Sequence, residues 1–216
     1  MKIELYKGRF KKALLDMNKD EALHLARKIL STCPLQDFVG YVLVDVLEDI
    51  GIRWEQGTVS LAQIYICGKI CEQIVDEIIP PGHGLKSYKQ RIAIATLLDY
   101  HSLGKRLVAS FLKASGYTFI DYGCGIDEET IIEKVQQDKI DILLISTFLY
   151  PTALKVKSIR DSLDKAGYKI RILVGGAPFR FDKSLWRQVG ADAMGGCASD
   201  AVSIINIWVE EGNQDD

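Results

Sequence analysis

The residues best placed to do chemistry are Asp99-Tyr100-His101-Ser102-Leu103-Gly104. They follow an apolar run, residues 92–98, that reads as a buried strand, and they lead into an amphipathic run, residues 103–115, that reads as a helix. A histidine in the loop leaving the first strand of an α/β unit lies where open parallel sheets bind ligands, beyond the carboxyl ends of the strands. Asp99, two residues before it, can orient the ring. Gly104, three residues after it, removes a side chain where a bulky ligand could approach. The other strand exits are Gly123-Cys124-Gly125, Ser146-Thr147-Phe148, Gly175-Gly176-Ala177-Pro178 and Gly195-Gly196. Small residues of this kind make a floor and a slot, suited to something long threaded alongside the sheet.

Three other readings compete for these residues. Ser146 with His101 and Asp99 could form a hydrolase triad, but the serine sits in Leu144-Ile145-Ser146-Thr147-Phe148 and not in a G-x-S-x-G elbow. A nucleotide or flavin site would want G-x-G-x-x-G or a Walker lysine after the first strand, and only Gly104 stands there. A receiver-like or purely structural domain, with Asp99 as a helix cap, also suits D-x-H-x-x-G taken alone. Cys33, Cys67, Cys71, Cys124 and Cys197 are odd in number and fit no paired C-x-x-C zinc pattern, so they read as buried thiols.

These groups need elements to hold them. The 216 residues, 48% hydrophobic and 26% charged, suffice for one large domain or two small ones. Residues 1–79 carry helical periodicity, expected to give an antiparallel bundle. Residues 19–30 place Ala22, Leu23, Ala26, Ile29 and Leu30 on one stripe, with Asn18 as cap and Glu21 completing a capping box. Pro34 opens the next helix, and residues 38–50 place Val42, Leu43, Val46, Leu47 and Ile50 on one face, ended by Gly51. Trp54-Glu55-Gln56-Gly57 reads as a turn before a long helix over 58–79. Pro80-Pro81-Gly82-His83-Gly84 is a linker, with His83 a solvated loop residue, and divides the chain into 1–84 and 85–216.

Beyond the linker, strand-like and helix-like runs alternate. Strands are expected at 91–98, 117–122, 140–146, 168–174 and 191–194, with helices at 103–115, 127–137, 152–166, 183–189 and 199–211. This pattern is α/β: a flavodoxin-like, doubly wound five-stranded parallel sheet, commonest strand order 2-1-3-4-5, following a helical cap. A net charge of −2 offers no basic face for nucleic acid. No apolar run reaches the roughly 20 residues of a membrane span, and the first residues lack a signal-peptide core, so a cytoplasmic protein is expected.

The motifs resemble those of cobalamin-binding corrinoid proteins of the methyltransferase type. That family carries D-x-H-x-x-G after the first strand, S-x-L after the third and G-G after the fourth. Here these are Asp99 to Gly104, Ser146-Thr147-Phe148 and Gly175-Gly176. Val189-Gly190-Ala191-Asp192 is similar too, and Trp54-Glu55-Gln56-Gly57 before a long helix resembles the four-helix cap of methionine synthase. The chain departs from the pattern at Phe148 for leucine, Leu98 for glycine, Ser102 for aspartate and Arg106 for asparagine.

The resemblance implies a cobalamin whose benzimidazole leaves cobalt and whose nucleotide tail enters the slot beside the first strand. It implies His101 as the lower cobalt ligand, with its second N–H given to Asp99. Asp99, with Ser146 near it, would share the proton taken up when cobalt(I) releases the histidine. Tyr100, Ser102, Leu103, Gly104, Ser146, Phe148, Gly175 and Gly176 would line the cofactor. Residues from the long cap helix, with Ile64, Cys67 and Cys71 as candidates, would cover the upper face, and the 80–84 linker would be the hinge. The implied role is a methyl carrier between cobalt(I) and partner methyltransferases, one on the donor side and one on the acceptor side. It would be a component of a methyltransferase system and not a complete enzyme. A cobalamin sensor or storage protein, or the cobalamin-binding subunit of a carbon-skeleton mutase, remain the alternatives.

Overall fold

The structure is a computed structural model that describes residues 2–78 and 88–214. The Pro80–Gly84 linker, His83 and the end of the long cap helix at Ile79 lie outside the described residues. The chain forms two compact units. One holds residues 2–78 together with 109–118, and the other holds 88–108 and 119–214.

The first unit is helical. It runs through α1 (Lys2–Leu15), α2 (Lys19–Leu30), α3 (Leu35–Asp37), a π-helical stretch (Phe38–Val44), α4 (Asp45–Glu55) and α5 (Leu61–Ile78). α1 packs on α2 and α5, and α5 also packs on α2 and α4. Asn18 caps α2, its Oδ1 accepting the Glu21 N–H at 3.1 Å. The return half of the expected box is absent: the Glu21 carboxylate takes Arg9 Nη2 at 2.9 Å, and the Asn18 N–H donates to the Ala13 carbonyl. The buried stripe of α2 is Ala22, Leu25, Ala26 and Ile29, so Leu25 replaces the half-buried Leu23 and Leu30 of the expected set.

Val42, Leu43, Val46, Leu47 and Ile50 are all buried, as their spacing requires. Gly51 does not end that helix; it is buried inside α4, which carries Trp54 and Glu55 in its last turn. The stop comes at Gly57, whose φ of +74° lets the N–H groups of Gly57 and Thr58 turn back to the carbonyls of Trp54 and Arg53. α5 starts at Leu61 and not at Thr58 because Ser60 and Gln63 cap it reciprocally. Ser60 Oγ accepts the Gln63 N–H at 3.2 Å, and Gln63 Oε1 accepts the Ser60 N–H at 3.0 Å.

Ile64, Cys67 and Cys71 are fully buried in α5. The Cys67 thiol donates to the Leu14 carbonyl at 3.2 Å, and burial pushes its pKa up to about 12. These three side chains are bundle core.

Glu72 is also buried in α5. Its Oε2 accepts from Lys69 Nζ at 2.5 Å and Ser110 Oγ at 3.0 Å, and its Oε1 accepts from Lys113 Nζ at 2.8 Å. Gly68, one turn earlier, lets the Phe111 ring come within 3.2 Å of where a Cβ would stand. These contacts place residues 109–118 with the helices.

The second unit is a five-stranded, all-parallel sheet in the order β2-β1-β3-β4-β5. Its elements are β1 (Ile92–Leu97), the first half of α6 (Leu103–Ala114), β2 (Ile120–Ile126), α7 (Glu128–Asp138), β3 (Ile142–Ser146), α8 (Tyr150–Leu154), α9 (Val156–Lys165), β4 (Arg171–Gly175), α10 (Ala177–Phe181), α11 (Leu185–Gln188), β5 (Ala193–Gly195) and α12 (Ala198–Gln214). β1 is buried throughout, as a central parallel strand must be. Ala93, Ala95 and Leu97 face a core completed by Leu143, Ile145, Ile172 and Val174, under Ile131, Val135, Val156, Ile159 and Leu163 of α7 and α9. Asp127 caps α7 by accepting the Thr130 N–H at 2.8 Å.

The second strand departs most from its expected span. It occupies 120–126 rather than 117–122, so Gly123-Cys124-Gly125 is strand and not exit. Gly123 and Gly125 take φ of +93° and +71°, and the register against β1 slips beside each. A glycine inside a strand marks a bulge here and not a stop. Among the described residues, no helix is long and apolar enough to cross a membrane.

The Glu72 cluster sets a pH dependence. Burial alone would raise this carboxyl's pKa, but the bonds from Lys113, Lys69 and Ser110 outweigh it and hold the group at about 2, against an ordinary 4.5. The folded value is depressed, so its stabilisation is complete above pH 4.5 and is lost as pH falls towards 2. Glu72→Gln should destabilise by about 1–3 kcal/mol at pH 7 and flatten the fall in stability between pH 6 and pH 3. Urea unfolding of both proteins across that range measures it.

Candidate functional site

At the carboxyl end of β1 the chain leaves through Leu98 and Asp99. Asp99 is buried, with its side chain 7% exposed. Its Oδ1 accepts the main-chain N–H of His101 at 2.8 Å, and its Oδ2 accepts the main-chain N–H of Phe148 at 3.0 Å, in the loop leaving β3. Its carbonyl accepts the Gly125 N–H of β2 at 2.7 Å. One residue thus ties together the ends of three neighbouring strands. Each carboxylate oxygen keeps a second lone pair, so Asp99 can still accept a further donor.

The His101 side chain is 64% exposed, and its Nδ1 stands 3.7 Å from Asp99 Oδ1. That is longer than a hydrogen bond. The imidazole stacks on the Phe148 ring, with centroids 4.0 Å apart and planes 16° apart. Phe148, standing where the family pattern has leucine, therefore braces the ring in a way leucine could not. Tyr100 turns outward over Gly125; a Cβ on Gly125 would come within 2.7 Å of its ring.

Ser102 accepts the Arg106 N–H at its carbonyl, opening α6. Leu103 is exposed in the first turn. A Cβ at Gly104 would make ordinary contact with Ser146 Oγ at 3.8 Å, so the glycine leaves about one methyl group's room beside that hydroxyl. Gly175 accepts the Thr147 N–H at its carbonyl. Gly176, at φ +117°, would put a Cβ 1.8 Å from the Thr147 carbonyl oxygen, so no side chain fits there.

The structure gathers the expected residues into three groups at one rim: Asp99, His101 and Phe148; Gly104 and Ser146; Gly175 and Gly176 against Thr147. Several residues of the rim went unread in the sequence. Lys105 is buried and ion-paired to Asp121 at 2.5 Å, with Asp121 also accepting the Gly123 N–H, which pins the start of α6 to β2. The hydroxyls of Thr96 and Thr147 are buried with no hydrogen-bond partner among the described residues. A threonine in an otherwise apolar strand was the available signal for Thr96. Away from the rim, at the amino edge of the sheet, Asp192 was noted only as part of a motif; its Oδ2 accepts the Ile172 N–H at 2.6 Å and pairs with Arg160, tying the start of β5 to β4.

A glycine-rich rim at the carboxyl edge of a 2-1-3-4-5 sheet, carrying an exposed imidazole beside a buried carboxylate, defines a doubly wound ligand-binding domain. Residues 91–206 match the family model of the B12 binding domain, and residues 7–79 match a second B12 binding domain model. Trimethylamine corrinoid protein 1 of Methanosarcina mazei is 31% identical over 164 residues, which cover 73% of this chain and 74% of the relative. The fold is that of a cobalamin-binding protein from Desulfitobacterium hafniense, with TM-score 0.79, 21% identity, and coverage of 94% of this chain and 98% of that one. It is also that of the methanol:cobalamin methyltransferase complex of Methanosarcina barkeri, with TM-score 0.67, 19% identity, and coverage of 93% of this chain and 78% of that one. The chain belongs to the B12-binding corrinoid protein family, and its cofactor is cobalamin.

The site fits such a group. Gly104 brings bare backbone against the Ser146 hydroxyl, Thr96 holds an unmet hydroxyl, and an exposed imidazole nitrogen donor stands at the rim. Leu98, where the family pattern has glycine, takes φ +53°. That left-handed conformation is strained for a side chain, and it is the physical reason a glycine suits the position. Leu98→Gly should raise stability by about 0.5–1 kcal/mol, while Leu98→Val, β-branched, should lower it. Thermal and urea unfolding of the two variants test this.

Proposed function

We propose that this chain carries a methyl group between a donor-side and an acceptor-side methyltransferase, holding cobalamin with its benzimidazole off the metal and His101 on it. When bound, cobalamin supplies the cobalt centre on which methyl transfer takes place. The observation that carries the reading is His101, exposed at the end of β1 with Nδ1 facing the buried Asp99 carboxylate. With Nδ1 on the carboxylate side, Nε2 is the nitrogen left to ligate a metal. The 3.7 Å separation is within about 1 Å of a hydrogen bond, so a small movement of the ring lets Asp99 accept the Nδ1–H and fix the tautomer.

The main-chain bonds of Asp99 keep the carboxylate in place while the ring moves, and Phe148 holds the plane of the imidazole. Gly104 and Ser146 make the slot for the nucleotide tail, with Gly175 and Gly176 offering bare backbone to it. Tyr100, Ser102 and Leu103 complete the wall on the β1 side. Methylated amines are the proposed donor class, supported by a relative named as a trimethylamine corrinoid protein. A storage protein would share the lower-face site but would not pass a methyl group on.

Reconstitution with cobalamin and visible spectra of wild type and His101→Ala test the ligand assignment. The wild type is expected to show a nitrogen lower ligand that the variant lacks. Identical spectra would overturn the role of His101. Incubation of the loaded protein with trimethylamine and a corrinoid-dependent amine methyltransferase should then give a methylated cofactor; uptake of cobalamin without methylation would favour storage.

A further inference from the structure

We propose that Thr96 is a specificity-determining residue of the slot, whose hydroxyl joins that of Ser146 in hydrogen-bonding the lower base of the corrinoid and selects a nitrogen-heteroaromatic base over a phenolic one. The proposal rests on the base-off reading above, because the base must enter the slot to meet these groups.

Thr96 is fully buried, and its Oγ1 has no hydrogen-bond partner among the described residues. Valine would fill the same shape in this strand without leaving a polar atom unmet, so a buried threonine here is destabilising until something satisfies it. Its place says what that is. Thr96 is paired in register with Ser146 on β3. Register partners in a parallel ladder point to the same face, and alternation puts Thr96 opposite Ala95 and Leu97, which face the α7–α9 core. Ser146 Oγ in turn faces Gly104, 3.8 Å from where a Cβ would stand, so the missing side chain leaves about a methyl group's room beside it. On one face of the sheet, at its carboxyl edge, two hydroxyl-bearing residues are paired in register, with Gly104 of α6 facing one of them.

A hydroxyl pair can donate to a ring nitrogen. A benzimidazole released from cobalt has one free ring nitrogen that accepts, and an adenine base has several. A phenolic base has no ring nitrogen and gives the pair nothing comparable to bond. Two donors in the slot therefore separate the two classes by what each leaves unmet.

The test uses the full chain as wild type, Thr96→Val and Thr96→Ser, titrated with cobalamin, its adenine-base analogue and a phenolic-base analogue. Affinity is read from quenching of tryptophan fluorescence. Thr96→Val should weaken binding of the benzimidazole and adenine forms about five- to tenfold and leave the phenolic form unchanged, with Thr96→Ser retaining the wild-type preference. Thermal unfolding without corrinoid should show Thr96→Val at least as stable as wild type. An equal loss for all three corrinoids, or an unchanged preference, would overturn the role of Thr96. The spectrum of the loaded wild type separates this from failure of the underlying reading. Benzimidazole still on cobalt overturns the base-off reading and this proposal together, whereas a base-off spectrum with unchanged preference overturns the Thr96 assignment alone.

Discussion

The Asp99 carboxylate is the constraint on which the rim depends. A buried charge must be met by donors, and here they are two main-chain N–H groups, one in its own loop and one in the loop leaving β3. The carbonyl of the same residue holds β2 through Gly125. Three strand exits that are far apart in sequence thus share one joint. The histidine is carried on that joint and stays exposed.

The rest of the rim is shaped by what side chains cannot do. Gly176 sits where a Cβ would collide with the Thr147 carbonyl, and Gly125 lies directly under the Tyr100 ring. Leu98 adopts a left-handed backbone that leucine tolerates poorly. Strain and bare backbone gathered at one edge of a sheet belong to a binding site, because a well-packed core would have no need of them. Ion pairs hold the flanks: Lys105 with Asp121 fixes the start of α6, and Arg160 with Asp192 fixes the start of β5.

Much of this was legible in the residues. Alternation of apolar runs with amphipathic ones named the parallel sheet and its strand order, and D-x-H-x-x-G with S-x-F and G-G located the rim. The misreadings have one physical source. Gly51, Gly123 and Gly125 were each taken as stops, yet Gly51 is buried within α4 and the other two are bulges within β2. Glycine permits a break without requiring one, and neighbouring segments decide which occurs. The helix starts show the same limit: Asn18 caps as read, but Arg9 draws Glu21 away from the box, while Ser60 and Gln63 form the full box in a place that was not marked.

What the sequence determined by itself was the class of fold and the family, because these follow from local periodicity and from short motifs read along one strand exit at a time. What only the tertiary structure decided was how the exits meet. Asp99 binds Phe148 across 49 positions of chain, Phe148 stacks on His101, and Thr96 comes into register with Ser146. Those contacts are set by the register of β1 against β3, a property of two strands together that neither strand encodes alone.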